Sequence, residues 1–255
     1  MDLVFDTLDS IFHHMTEDVL VLIDGACQEM QEIDFPVYKL IGFKHGIPKS
    51  PYRNVALALQ SIHDIYPEHD WYCYMEYDCL VTSKRFKYNL EMADDQGIWM
   101  LGTNGRVDEK RIPLVESLIG GEFRSPYYLL GSCQFFSKHF ILALKKIDFF
   151  NRFLSITNVC RNGEMPGYSG YDVSEHLYPS LCRQFGGGIG VFSTWDSINN
   201  EWHGSSDVFP IRWKPEIEPE MDNKNMSICH PIKDFNHPIR QFHREVRKCT
   251  KTQKV

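Results

Sequence analysis

The stretch Trp71-Tyr72-Cys73-Tyr74-Met75-Glu76-Tyr77-Asp78-Cys79-Leu80-Val81 decides how the rest of the chain is read. Its aromatic start favours a strand, and the strand ends on two carboxylates two positions apart. Side chains alternate along a strand, so Glu76 and Asp78 project to one face. Neighbouring carboxylates repel each other unless a cation lies between them. Oxygen ligands at a rigid strand end suit Mg²⁺ or Mn²⁺, which keep positions open for substrate phosphates. The competing reading is a pair of acids that close a strand in solvent.

Working outward, the flanks alternate strand and helix. Leu8, Ile11, Phe12 and Met15 are spaced as one helix face. Val19 to Ile23 is a continuous apolar run ending in Asp24-Gly25, as in a strand covered on both faces of a parallel sheet. Pro36 to Phe43 is a second strand. Ser50-Pro51 supplies an N-cap and a first-turn proline for a helix from about Tyr52 to Ile65 with Val55, Leu59, Ile62 and Ile65 on one face. Beyond the acid pair, the pattern predicts a helix over Lys84–Met92, a strand over Gly97–Gly102 and an irregular span over 103–125. A strand follows over Tyr127–Phe136, interrupted by Gly131-Ser132, and then a helix capped by Ser137 through about Ile147. A glycine-rich loop (158–170) leads to a helix over Asp172–Gln184 and a strand over Ile189–Phe192. Residues 194–225 read as a long loop bearing Trp195, Trp202 and Trp213. Met226 to Cys229 is a short strand ending at His230-Pro231. Asn236 caps a last helix with Ile239, Phe242 and Val246 on its apolar face. The rhythm argues for an α/β fold, one domain with a mostly parallel central sheet flanked by helices.

Composition agrees with a globular enzyme: 255 residues, 43% hydrophobic and 24% charged. A net charge of −7 argues against nucleic acid as a partner. The basic run from Arg240 to Lys254 suits phosphate or an anionic membrane surface, though such runs more often form a solvated helix face. Eight cysteines without a C-x-x-C pair imply neither zinc nor a disulfide framework and fit a reducing compartment. Asp2, Asp6 and Asp9 spoil a secretory signal, and no apolar run approaches a membrane span. The expectation is a cytoplasmic protein, with peripheral contact at a membrane surface and self-association both compatible.

Three polar clusters stand at the ends of apolar runs, where open α/β sheets bind ligands. Glu76 and Asp78 form the first. Asp172 and Glu175 form the second, and their spacing fits either a capping box or a general base at a helix mouth. At most one of that pair is expected to be catalytic, with Asp172 preferred. His230 and Lys233 form the third: an imidazole to complete a mixed nitrogen and oxygen metal site, and an ammonium to reach a phosphate. Gly131-Ser132 permits close approach of a ligand to the backbone. Arg53, in the first turn of its helix, opposes the helix dipole and so points to an anion nearby.

Taken in order, these features resemble a GT-A-type glycosyltransferase of the nucleotide-diphosphosugar transferase superfamily. Glu76-Tyr77-Asp78 is similar to its D-x-D motif, Arg53-Asn54 to a preceding helix, Leu130-Gly131-Ser132 to an acceptor-side strand, Asp172 and Glu175 to an acidic helix start, and His230 to Lys233 to a late histidine element. The resemblance implies a Rossmann-like GT-A domain with a donor-binding half over about 1–102, an acceptor-side half over about 103–235 and a terminal helix over about 236–250. It implies transfer of a sugar from a nucleotide-sugar to a glycan or lipid-linked hydroxyl acceptor, with Mn²⁺ or Mg²⁺ held by Asp78, Glu76 and His230. Arg53, Asp24, Glu76, Lys233 and Ser132 would line the donor, Asp172 (or Glu175) would take the acceptor proton, and the tryptophan loop would close over the donor. Two features depart from the pattern: the first acid is Glu76, and the first strong strand begins only at Val19. A nucleotidyltransferase, a metal hydrolase and a non-catalytic sugar-binding or nucleotide-binding protein are the competing readings.

Overall fold

The computed structural model describes the chain except residues 26, 43–50, 108–125, 156–169, 207, 214–215, 220–224 and 253–255; side chains of 51–52, 170–174 and 251–252 are likewise left aside. In chain order the elements are α1 (Asp2–His14), β1 (Leu20–Ile23), α2 (Gln28–Gln31), β2 (Tyr38–Ile41), α3 (Pro51–Ile65), β3 (Trp71–Met75), β4 (Leu80–Val81), α4 (Phe86–Asp95), β5 (Ile98–Gly102), β6 (Arg106–Val107), β7 (Tyr127–Tyr128), β8 (Cys133–Ser137), α5 (Lys138–Lys146), α6 (Phe149–Leu154), α7 (Gly170–Gln184), β9 (Gly188–Val191), β10 (Ser193–Asp196), β11 (Glu201–Gly204), β12 (Ile228–Cys229) and α8 (Pro238–Thr252). The Ser50 cap, most of the irregular span over 103–125 and most of the 158–170 loop lie outside the described residues. No helix among those described is long and apolar enough to cross a membrane.

The central sheet has the order β3-β8-β5-β9. It is mixed, which corrects the expectation of a mostly parallel sheet: β8 runs antiparallel to both β3 and β5, and only β5 and β9 are parallel. All five residues of β8 are buried. Burial on both faces is compatible with neighbours running either way, so the residue types of β8 carried no direction. The expected strand over Tyr127–Phe136 is also two short strands, because the chain turns at Leu129–Ser132 and β7 pairs with β6 instead.

Alternation along β8 divides the core. Phe136 packs with Val55, Leu59, Phe140, Phe149, Tyr178 and Leu181 from α3, α5, α6 and α7. Its neighbour Phe135 faces the other way, toward Phe86, Leu101, Phe192, Phe209 and Ile228. Helices on one face and a second apolar layer on the other leave the sheet sandwiched. Ser137 caps α5 as read from sequence: its side chain accepts from the Phe140 N–H.

Three outer elements depart from their sequence reading. β1 pairs in parallel with β2 alone, and three of its four residues are only half-buried. Residues 193–204 form a hairpin within the supposed long loop, with Trp195 opposite Trp202. α8 begins at Pro238, so Asn236 lies outside it; the His237 ring accepts from the Ile239 N–H in its place. The buried side of α8 carries Ile239, Arg240, His243 and Arg247, while Phe242 (46%) and Val246 (39%) are exposed. The expected solvated basic face therefore supplies two of the most deeply buried side chains in the protein, for a reason that lies in α1.

Candidate metal centre

The turn after β3 carries the acid pair. Its frame is backbone: the Glu76 N–H donates to the Ser132 carbonyl (3.1 Å) and the Cys79 N–H to the Glu76 carbonyl (3.1 Å). β4 then pairs antiparallel with β12 in a register that sets Leu80 opposite Cys229. An antiparallel pair brings the exit of one strand beside the entry of the other. The residue leaving β12, His230, thus arrives beside Asp78, which enters β4. The Ile232 N–H closes the arrangement on the Asp78 carbonyl (3.0 Å).

The three predicted ligands converge. His230 Nε2 lies 3.2 Å from Asp78 Oδ1 and 3.4 Å from Glu76 Oε2, and one ligand atom from each of the three falls within 4.8 Å of the others. Adjacent ligands about 2.1 Å from one octahedral cation stand roughly 3 Å apart. The spacing fits after little adjustment. Asp78 and His230 are buried, whereas Glu76 stays 35% exposed.

Hydrogen bonding fixes the chemistry of the imidazole. A carbonyl only accepts, so His230 Nδ1–H donates to the Arg212 carbonyl at 2.7 Å. In the neutral ring this leaves the Nε2 lone pair facing the carboxylates, as in metal-bound histidines. With the ring neutral, neither Nε2 nor Asp78 Oδ1 has a hydrogen-bond partner among the described residues, although both are buried; with the ring protonated, the two atoms, 3.2 Å apart, face each other as donor and acceptor. Unsatisfied buried polar atoms are costly, and two of them aimed at one point fit a cation between them.

The charges respond to each other. Burial pushes the Asp78 carboxyl up, but His230 outweighs it with help from Lys233, so Asp78 is held below its ordinary value. Burial likewise pushes His230 down, and the Asp78 and Glu76 carboxylates overcome it to raise the imidazole to about 9. Without a cation, a proton on His230 plays the balancing part.

The second sequence cluster adjoins the first. Glu175 Oε1 accepts from the Gly131 N–H (3.0 Å) and its carbonyl from the Leu129 N–H (2.9 Å), so it shapes the loop whose Ser132 carbonyl receives Glu76. A Cβ at Gly131 would meet the Glu175 side chain at 3.3 Å, which explains glycine there by close packing. α7 begins at Gly170, placing Asp172 in its first turn instead of before it. That removes the capping box; the Asp172 side chain lies outside the described residues.

Lys233 is exposed, and its N–H donates to Glu216 Oε1. Asp24 and Arg53 do not join the acid–imidazole cluster. Asp24 sits half-buried past β1, its carbonyl accepting from the Cys27 N–H. Arg53 is buried and donates to the Leu154 carbonyl, tying α3 to the end of α6.

Sequence reasoning missed Arg212. Its guanidinium is buried and stacks 4.4 Å from the Trp195 ring and 5.5 Å from Trp202. Those tryptophans are packed against each other, ring centres 5.0 Å apart. They hold the segment whose carbonyl orients His230, whereas Trp213 is 51% exposed. An arginine beside three tryptophans was the available signal.

No family model matches the chain, and no curated protein matches it. Among solved structures it is similar to a glycosyltransferase involved in the glycosylation of the major capsid of PBCV-1, at 11% identity and a TM-score of 0.47 over 97% of this chain and 92% of that one. It is also similar to mouse xyloside xylosyltransferase 1 in its apo form, at 9% identity and a TM-score of 0.38 over 84% of this chain and 83% of that one. Both solved structures are glycosyltransferases, and likenesses at this level leave the chemistry of the site to be argued from its own residues.

Proposed function

We propose that the chain is a metal-dependent glycosyltransferase that moves a sugar from a nucleotide-sugar donor to a hydroxyl of a glycan or lipid-linked acceptor. One observation carries the reading: Glu76 and Asp78 meet His230, more than 150 positions further along the chain, with Asp78 Oδ1 and His230 Nε2 buried 3.2 Å apart and no partner for either but each other among the described residues. Asp78 and His230 would hold Mn²⁺ or Mg²⁺ from inside the protein and Glu76 from the rim. When bound, the cation would supply charge neutralisation for a departing diphosphate.

The chain's own residues do the rest. Lys233, exposed beside the centre, offers an ammonium to the phosphates. Of the remaining donor residues read from sequence, Ser132, whose carbonyl receives the Glu76 N–H, adjoins the centre, whereas Asp24 and Arg53 stand apart from it and are given no part in the transfer. In the transfer, the bond from the anomeric carbon to the diphosphate oxygen breaks and a bond to the acceptor oxygen forms. The diphosphate keeps the electron pair. Asp172 takes the acceptor proton if the anomeric centre inverts, and Glu175 orders the Leu129–Gly131 loop beside it.

Product analysis tests the proposal. The purified chain is incubated with Mn²⁺ and a panel of nucleotide-sugars with glycan acceptors. Release of nucleoside diphosphate together with a glycosylated acceptor supports it. Pyrophosphate release would point to nucleotidyl transfer, and water as sole acceptor to hydrolysis. The absence of any Mn²⁺-dependent stabilisation by nucleoside diphosphates or nucleotide-sugars would favour the non-catalytic reading.

A further inference from the structure

Arg240 is wholly buried and joins segments far apart in sequence. Its Nε donates to the Ile232 carbonyl (3.0 Å), Nη1 to Asp6 Oδ2 (2.8 Å) and Thr7 Oγ1 (3.3 Å), and Nη2 to the Cys79 carbonyl (3.0 Å). Cys79 follows Asp78 directly, and Ile232 lies two residues past His230. One guanidinium therefore grips both chain segments that carry the buried ligands. Thr7 adds a second grip on the acid turn: its hydroxyl faces the Tyr77 carbonyl at 2.7 Å and the Cys79 carbonyl at 2.9 Å.

We propose that Arg240 is a positioning residue that fixes the spacing between Asp78 and His230, with Asp6 and Thr7 orienting its guanidinium. That this spacing serves a cation rests on the function proposed above; the spacing itself does not. The planar fork is what the site requires, since it directs donors in three directions at once. A lysine would keep the charge near Asp6 but would hold only one of the segments at a time. α1 and α8, at opposite ends of the chain, thereby become parts of the centre without touching it.

Arg247 provides the control. It is equally buried and bound to Asp6 and Asp9, yet its hydrogen bonds go to neither ligand-bearing segment among the described residues. Arg240→Lys and Arg247→Lys are compared with the parent by melting temperature, by Mn²⁺ affinity from the electron paramagnetic signal of free Mn²⁺, and by hydrogen exchange of the Ile232 amide, which bonds the Asp78 carbonyl. Both substitutions should lower the melting temperature. Only Arg240→Lys should speed Ile232 exchange and weaken Mn²⁺ binding, by about 10–100-fold as for other groups that orient metal ligands. Thr7→Val, of similar volume, should move both readouts the same way by less, and it replaces Arg240→Lys if that protein does not fold. Equal Ile232 exchange in the Arg240→Lys and Arg247→Lys proteins overturns the positioning role, as does an equal loss of Mn²⁺ affinity in both. If the parent takes up no Mn²⁺, the cation reading falls, and the exchange comparison still decides whether Arg240 sets the spacing.

Discussion

The Asp6–Arg240–Arg247 cluster and the Glu76–Asp78–His230 cluster lie on two sides of the turn that carries Asp78. Both gather ionisable side chains in the interior. In the first, Asp6 receives Arg240 and Arg244 on one oxygen and Arg247 on the other. Its charge is met from every side by groups the fold supplies. In the second, two carboxylates face one imidazole, and Asp78 Oδ1 and His230 Nε2 find no partner but each other among the described residues. Although Arg247 Nη1 lacks a hydrogen-bond partner among the described residues, both Asp6 oxygens are taken, so the first, closed cluster offers a cation no carboxylate oxygen. The open acid–imidazole cluster, with Glu76 35% exposed at its rim, keeps that capacity, and the contrast is why the function is proposed there.

Breaking the closed cluster should produce the largest effect. Asp6→Ala leaves the buried Arg240 guanidinium without a carboxylate and Arg247 with Asp9 alone, and the expected loss is about 3–5 kcal/mol of stability, measured as a lower denaturant midpoint. A loss within experimental error would mean that the arginines find water, and the closed description would fail. Asp78→Asn should do the reverse. The fold should persist, because asparagine keeps the side-chain shape and leaves the Asp78 carbonyl that receives the Ile232 N–H unchanged, while Mn²⁺ affinity should drop by two orders of magnitude or more, about 3 kcal/mol or above; calorimetric titration measures it.

The pH dependence sharpens the contrast. His230 is raised from 6.5 to about 9 in the folded protein. Its stabilising contribution is therefore complete below pH 6.5 and lost as pH rises through 9, a change on the order of 1–3 kcal/mol without metal. Asp78, held below its ordinary value, contributes above that value and loses its contribution as pH falls through its folded one. Since a metal ligand must be deprotonated, stabilisation by Mn²⁺ should grow across the same rise from 6.5 to 9. Thermal melts with and without Mn²⁺ should diverge over that window, and parallel curves would contradict an open site. The smallest effect belongs to the rim: Glu76→Gln, at a half-exposed position, should weaken Mn²⁺ by about tenfold, less than Asp78→Asn in the same titration.

Much of this architecture was legible as text. The helix periodicity placed α1, α3, α4 and α5, the Ser137 cap was read with its partner helix, and Glu76 and Asp78 stood out by spacing along a strand. His230 was found because it ends a strand at a proline. Arg240 was read as surface because its neighbours in sequence are basic and polar, and Arg212 drew no attention. Their roles depend on Asp6, Thr7, Cys79 and Trp195, which no local pattern links to them.

What the chain alone determined, then, was which segments are regular and which positions are candidates for chemistry, since periodicity and residue type act over a few residues. Tertiary structure decided the direction of β8, the pairing of β4 with β12 that carries His230 to Asp78, and the burial of the α8 arginines against α1. Backbone hydrogen bonds are alike for every strand partner, and a charge is neutralised by any opposite charge close enough. Which partner is reached depends on packing across the whole core, and that is a property of the folded chain.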